Sequence, residues 1–225
     1  MCQSENRKVT RVVSFSGLDG CGKTTLIQAV RQEIDARGLP SSYVWLRYNH
    51  YFTRILHAFC RVAGYTRYEN YNGTRIGYHD FHRSELISWM AIVLNLVDTF
   101  LATLIYVYLP LLLSQRVVFC DRWVFDILVD LAVDTHKELT PLPRWGKAFL
   151  WLIPQSAKCF LIQRNIEALE EARPDNKFDR NFQRRWQLYD MLSKDHRIIK
   201  ISNKNTVKQS INEIFNNLLL PFSYR

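Results

Sequence analysis

Glycine and proline are scarce in this chain of 225 residues, at 8 and 7. That excludes a collagen-like repeat and a Gly/Pro-rich disordered chain. Cysteine is also scarce and unpatterned. Cys2, Cys21, Cys60, Cys120 and Cys159 are odd in number and form no C-x-x-C pair, which argues against a disulfide framework or a zinc site and fits a reducing compartment. Internal repeats and low-complexity linkers are absent. Met1–Lys8 lacks the apolar stretch of a secretory leader, so the expected location is cytoplasmic. Acidic residues are the minority charge, 21 against 30 Lys and Arg, for a formal net charge of +9. Such a surplus favours anionic partners, whether nucleotides, nucleic acid or an anionic membrane surface, and selects none of them.

Hydrophobic residues make up 48% of the chain, and at this length one globular domain spanning 1–225 can bury a sizeable core. Val9–Phe15 is a β-branched run ending at Gly17, and Thr24–Ala36 then places Leu26, Ile27, Val30 and Ile34 at helical spacing before Gly38 and Pro40. Further short apolar strands are expected at Tyr43–Leu46, Val117–Cys120, Cys159–Ile162 and Ile198–Ile201. Apolar strands alternating with helices predict five parallel strands covered on both faces, a three-layer α/β/α sandwich. Ligands of such sheets sit beyond the carboxyl ends of the strands.

Leu86–Leu113 carries one charge, Asp98, in a stretch long enough to cross a membrane. Asn95, Asp98, Thr99 and Thr103 interrupt it, and a charge at mid-bilayer costs about 2.5–3.5 kcal/mol. The segment is therefore expected to be a buried core helix and a face for a homodimer, with membrane association as the alternative. Around 164–185 the chain is most charged and least apolar, reading as helix, loop and helix, the form of a lid.

The chemistry is densest at Gly17-Leu-Asp-Gly-Cys-Gly-Lys-Thr24, which satisfies G-x4-G-K-[ST] between a strand and an amphipathic helix. Glycines permit the close backbone approach and positive φ with which N–H groups wrap phosphates, and the helix that follows aims its positive dipole end at the anion. Gly17, Asp19, Gly20, Cys21, Gly22, Lys23, Thr24 and Thr25 form the expected ATP site, with Lys23 on the β/γ-phosphates and Thr24 on Mg²⁺. Val117–Asp121 then delivers a carboxylate at a strand's carboxyl end, placed to reach the metal shell or take an acceptor's proton. Arg122 follows, able to hold a phosphate bidentately.

Over nearly its whole length the chain resembles the thymidylate kinase family. The resemblance rests on Phe15–Thr25, answering an F-E-G-L-D-G-S-G-K-[ST]-T-like loop, on Asp121-Arg-Trp123, answering D-R-[YH], and on an arginine-bearing lid. It implies a nucleoside-monophosphate-kinase-like fold and transfer of the ATP γ-phosphoryl to a nucleotide, with Mg²⁺ as cofactor. It further implies that Lys23, Asp121, Arg122, Arg173 and Arg180 are catalytic and that Thr24 and Asp121 serve the metal. The acceptor would be held by Asp19, Arg47, Arg83, Asp98 and Arg122. Lys177 is a third lid cation. Arg47 stands where the family places the arginine of an R-E-P turn, with Tyr48-Asn49 in place of Glu-Pro. The long helix departs further: Val97-Asp98-Thr99-Phe100 keeps the aspartate of A-D-R and has Thr99 where the family grips the monophosphate with arginine. Thr99 supplies neither the charge nor the fork of donors. Either Arg47, Arg75 or Arg83 replaces it, or the acceptor is a nucleoside, a modified base or a sugar. A nucleotide-switched, membrane-associated binding module is the reading from outside enzymology.

Overall fold

The computed structural model describes residues 10–47, 51–71, 73–114, 116–203 and 206–218. Met1–Lys8, Cys2, the start of the first expected strand at Val9, Tyr48-Asn49 and Leu219 lie outside them. Five strands form one parallel sheet: β1 (Val12–Ser16), β2 (Ser41–Trp45), β5 (Val117–Asp121), β6 (Lys158–Gln163) and β7 (Ile198–Ser202), in the order β2-β5-β1-β6-β7. Every residue of β1 and β5 is buried, as a parallel sheet covered on both faces requires. Their register pairs Phe15 with Asp121, and β2 pairs Trp45 with the same aspartate. Three strand ends thus converge where Asp121 emerges.

Helix α1 (Lys23–Ala36) buries Leu26, Ile27, Val30 and Ile34 against β1, β2 and β5, with α9 (Val207–Asn217) packed beside it. Each of these α1 side chains contributes roughly 1.5–3 kcal/mol by leaving water. A second group comprises α3 (Glu85–Thr103), α5 (Val124–Thr135) and α8 (Phe182–Leu192), with α5 in contact with both others. The shorter helices are α2 (Thr53–Val62), α4 (Leu109–Leu113), α6 (Arg144–Leu150) and α7 (Ile166–Ala172). The expected three-layer sandwich with five parallel strands is the observed architecture.

Two features differ from the sequence expectation. Thr66–Tyr71 (β3) and Thr74–His79 (β4) form an antiparallel hairpin apart from the main sheet. Its register pairs Tyr71 with Thr74, and Gly73 between them has φ of 85°. The segment Glu85–Leu113 is helical throughout, but less than half of it is buried, so Leu86–Leu113 is not a core helix on all sides. Leu104–Tyr108 widens into a π-turn just before Pro110, which lets a residue without an N–H continue the helix with less crowding.

Candidate active site

The loop between β1 and α1 is built so that only glycine fits at its hinges. Gly17 has φ of 138°, and a Cβ there would lie 2.5 Å from the Ile162 carbonyl oxygen. Gly22 has φ of 92° and caps α1 without any side chain, so the helix's first N–H groups stay open to an anion. The first turn holds no acid. Lys23 is buried, and its Nζ donates to the Gly17 carbonyl at 2.8 Å and the Leu18 carbonyl at 2.7 Å. Asn203 braces the loop by donating to the Cys21 carbonyl at 2.7 Å.

Asp121 closes the opposite wall. Its Oδ2 accepts from the Tyr43 hydroxyl at 2.9 Å, while Oδ1 is buried with no hydrogen-bond partner among the described residues. Burial raises the Asp121 pKa above the usual carboxylate value, and burial together with Asp121 pushes the Tyr43 phenol up to about 12. The orphaned oxygen and the Thr24 hydroxyl are hard oxygen donors at the mouth of a phosphate loop, so these residues fit Mg²⁺.

Arg122 adopts φ of 56°, an uncommon conformation for a residue with a Cβ. This turns its guanidinium back beneath the loop, where it donates to the Gly17 carbonyl at 3.2 Å, pairs with Asp19 and lies 3.4 Å from Asp126. Burial opposes its charge, yet Asp126, Tyr189 and Asp19 hold its pKa above the ordinary value. Asp19 is drawn below its ordinary pKa although burial works the other way, because Arg122, Lys23, Arg47 and Arg173 surround it.

These residues line a cleft of about 810 Å³ that includes Asp19, Gly20, Gly22, Lys23, Thr24, Thr25, Asp121 and Arg122. Arg47 reaches it too, although its fork is held by Asp130 through two bonds of 2.9 Å. Of the three cations of the expected lid, Arg173, Lys177 and Arg180, Arg173 alone lines the cleft, paired with Asp175 at 2.8 Å. Arg180 is held on the hairpin, 3.6 Å from Asp80, 3.7 Å from Glu69 and stacked 4.0 Å over Tyr78.

Three residues expected to hold the acceptor or its substitute cation lie elsewhere. Asp98 is buried and accepts from the backbone N–H groups of Tyr51, Phe52 and Thr53, so it caps the N-terminus of α2. Arg83 donates to the Gly64 carbonyl at 3.1 Å and faces Tyr65, while Arg75 stacks on Tyr68 at 3.8 Å. Neither these nor Asp98 lines the cleft. Thr99 is buried and its hydroxyl is returned to the Asn95 carbonyl at 2.6 Å.

The fold also recruits residues no motif announced. Asp126 is fully buried, and its Oδ1 accepts from the Gly17 N–H at 3.3 Å and the Tyr189 hydroxyl at 2.6 Å. It thereby ties the loop to α5 and α8. Tyr43 and Trp45 form an aromatic wall on β2. Behind Arg47 lies a cavity of about 80 Å³, bordered by His57, His79, Asn95, Asp130, Asp134 and Arg185. Only the Asn72-Gly73 dipeptide gave a signal, and that for the hairpin carrying His79.

No family model matches the chain, and no curated protein does. Among solved structures, the crystal structure of thymidylate kinase from Ehrlichia chaffeensis superposes with a TM-score of 0.53 over 92% of this chain and 97% of that one, at 13% identity. The chain has a thymidylate-kinase-like fold. At that identity the likeness is one of architecture, and the chemistry rests on the side chains around the cleft. In the thymidylate-kinase-like fold seen here, those side chains sit at the carboxyl ends of β1, β2 and β5.

Proposed function

We propose that this protein is an ATP-dependent phosphotransferase whose acceptor is a nucleoside monophosphate or a related phosphorylatable molecule. The observation that carries the reading is the arrangement of Lys23, Asp121 and Arg122 around one cleft, at the foot of a glycine loop whose helix is uncapped. Nucleotide phosphates would bind the loop N–H groups, and Lys23 would exchange its two carbonyl partners for phosphate oxygens. Thr24 and Asp121 would hold Mg²⁺, which supplies charge neutralisation on the phosphates. Arg122 and Arg173 are placed to stabilise the charge on the migrating group.

In the transfer, an acceptor oxygen forms a bond to the γ-phosphorus as the bond to the bridging oxygen of ADP breaks. A phosphate acceptor has no proton to lose. A hydroxyl acceptor would hand its proton to a base, for which Asp121 is the available carboxylate.

Two observations favour a second reading, in which the acceptor is a nucleoside, a modified base or a sugar and not a monophosphate. The cavity behind Arg47 is about 80 Å³, whereas a cavity that admits benzene is about 150 Å³, so a pyrimidine does not enter without rearrangement. With Thr99 in place of an arginine, the monophosphate also loses a charged contact of about 1.5–3 kcal/mol, or roughly 10- to 150-fold. Incubation with ATP, Mg²⁺ and separate nucleoside monophosphates, nucleosides and sugars tests both readings by ADP release. Release dependent on a nucleoside monophosphate supports the first, and release dependent only on a nucleoside or sugar supports the second. No acceptor-dependent release across the panel overturns both.

A further inference from the structure

At the amino ends of β6 and β7, the end of the sheet away from the glycine loop, lies a cavity of about 680 Å³. Lys158 opens β6, and His196 and Arg197 immediately precede β7. These three border the cavity with Trp151 and Pro154 of the α6–β6 connection and with Ile199. Its volume falls within the roughly 300–1,000 Å³ of small-molecule sites. A lone aromatic ring needs only about 150 Å³, so there is room for a ring with further groups attached.

Trp151 is the most exposed of the six tryptophans, at 83%, and its indole makes no hydrogen bond or ring contact among the described residues. A large apolar face is thus left in water, open to a stacking partner. Lys158 is half-buried and has no ion-pair partner among the described residues. Asp195 binds Nε and Nη2 of Arg197 at 2.9 Å each, which fixes the guanidinium and leaves Nη1 as a donor. Lys158 and Arg197 outweigh that single carboxylate, so the wall favours an anion. Neither bordering segment, 150–159 or 196–199, contains glycine, so the backbone cannot wrap a triphosphate as the loop at Gly17 does. One phosphate matches the charge available.

We propose that this cavity binds a nucleoside monophosphate, its base stacked on Trp151 and its phosphate held by Lys158 and Arg197. Stacking on an indole is tolerant of the base, because every base offers a π face. The site is separate from the cleft of Lys23, Asp121 and Arg122: along β6, Lys158 stands about 13 Å from Ile162, whose carbonyl lies against Gly17. The proposal does not rest on the kinase reading.

Fluorine NMR of the full chain carrying fluorotryptophan resolves the two sites, since Trp45 lines the cleft and Trp151 the second cavity. Their resonances are assigned through Trp45→Phe and Trp151→Phe. Titration with adenosine monophosphate should shift the Trp151 resonance along a saturable curve. Lys158→Glu should raise the half-saturating concentration by about 10-fold or more and leave the Trp45 response unchanged, and adenosine, which lacks the phosphate, should lose about as much. A Trp151 resonance unmoved by about 10 mM adenosine monophosphate, whatever Trp45 does, overturns the proposal. An undiminished response in Lys158→Glu or to adenosine removes the phosphate contact and overturns it too, and an equal response to inorganic phosphate removes the stacked base.

Discussion

Replacing Asp126 with asparagine keeps the shape of the side chain and removes the charge that holds Gly17, Tyr189 and Arg122 together. Breaking a buried ion pair by neutralising one partner costs about 3–5 kcal/mol when the remaining charge is left alone. Arg122 is not left alone here, since Asp19 stays paired with it and the Asp126 contact is 3.4 Å long. The loss should therefore fall at or below the low end, about 2–3 kcal/mol, which for a chain of this size lowers the melting temperature by about 4–12 °C. Thermal unfolding followed by circular dichroism measures this directly. Arg122→Met should cost less in the Asp126→Asn background than in wild type, giving a coupling of at least about 1 kcal/mol. Asp126→Asn melting within about 2 °C of wild type, or strictly additive losses, would refute the claim that this aspartate anchors the loop.

Lys23→Ala should lower turnover by at least about 100-fold with the fold intact, because one electrostatic clamp on the phosphates is lost; unchanged turnover would remove the kinase reading. Asp121→Asn should abolish turnover while ATP binding, measured by calorimetry, is largely retained. Without Mg²⁺ the Asp121 carboxyl should titrate above the usual carboxylate range, since burial raises its pKa, and added Mg²⁺ should draw it down by favouring the charged form. A carboxyl whose titration Mg²⁺ leaves unmoved, followed by NMR, would count against the metal role. Asp80→Asn removes one carboxylate that restrains Arg180, so limited proteolysis between residues 173 and 181 should quicken several-fold, and an unchanged cleavage rate would show that the hairpin does not hold the lid.

The middle of the sheet was legible because β1, β5 and β6 are buried and read as near-continuous apolar runs, and the glycine loop was legible because its glycines are demanded by backbone geometry. The hairpin was not, since exposed Arg67 and Arg75 and half-buried Glu69 make it read as surface loop. The Asn-Gly dipeptide at 72–73 in the sequence was the overlooked signal. Asp126 and Asp130 could not be singled out by pattern. Both belong to α5, most of whose residues are buried, and their importance comes from the β1–α1 loop and Arg47, far away in sequence. Asp98 shows the converse. A position matched by family resemblance is used here to cap α2, because three backbone N–H groups at that helix's start needed an acceptor.

The central claim is that the cleft moves a phosphoryl group from ATP to a second molecule. Incubation with γ-labelled ATP, Mg²⁺ and a panel of nucleoside monophosphates, nucleosides and sugars, with products separated by charge, measures it. The account predicts label in an acceptor product, dependent on Mg²⁺ and absent with Lys23→Ala. Label found only in inorganic phosphate, or retained in ATP with every acceptor, would contradict it.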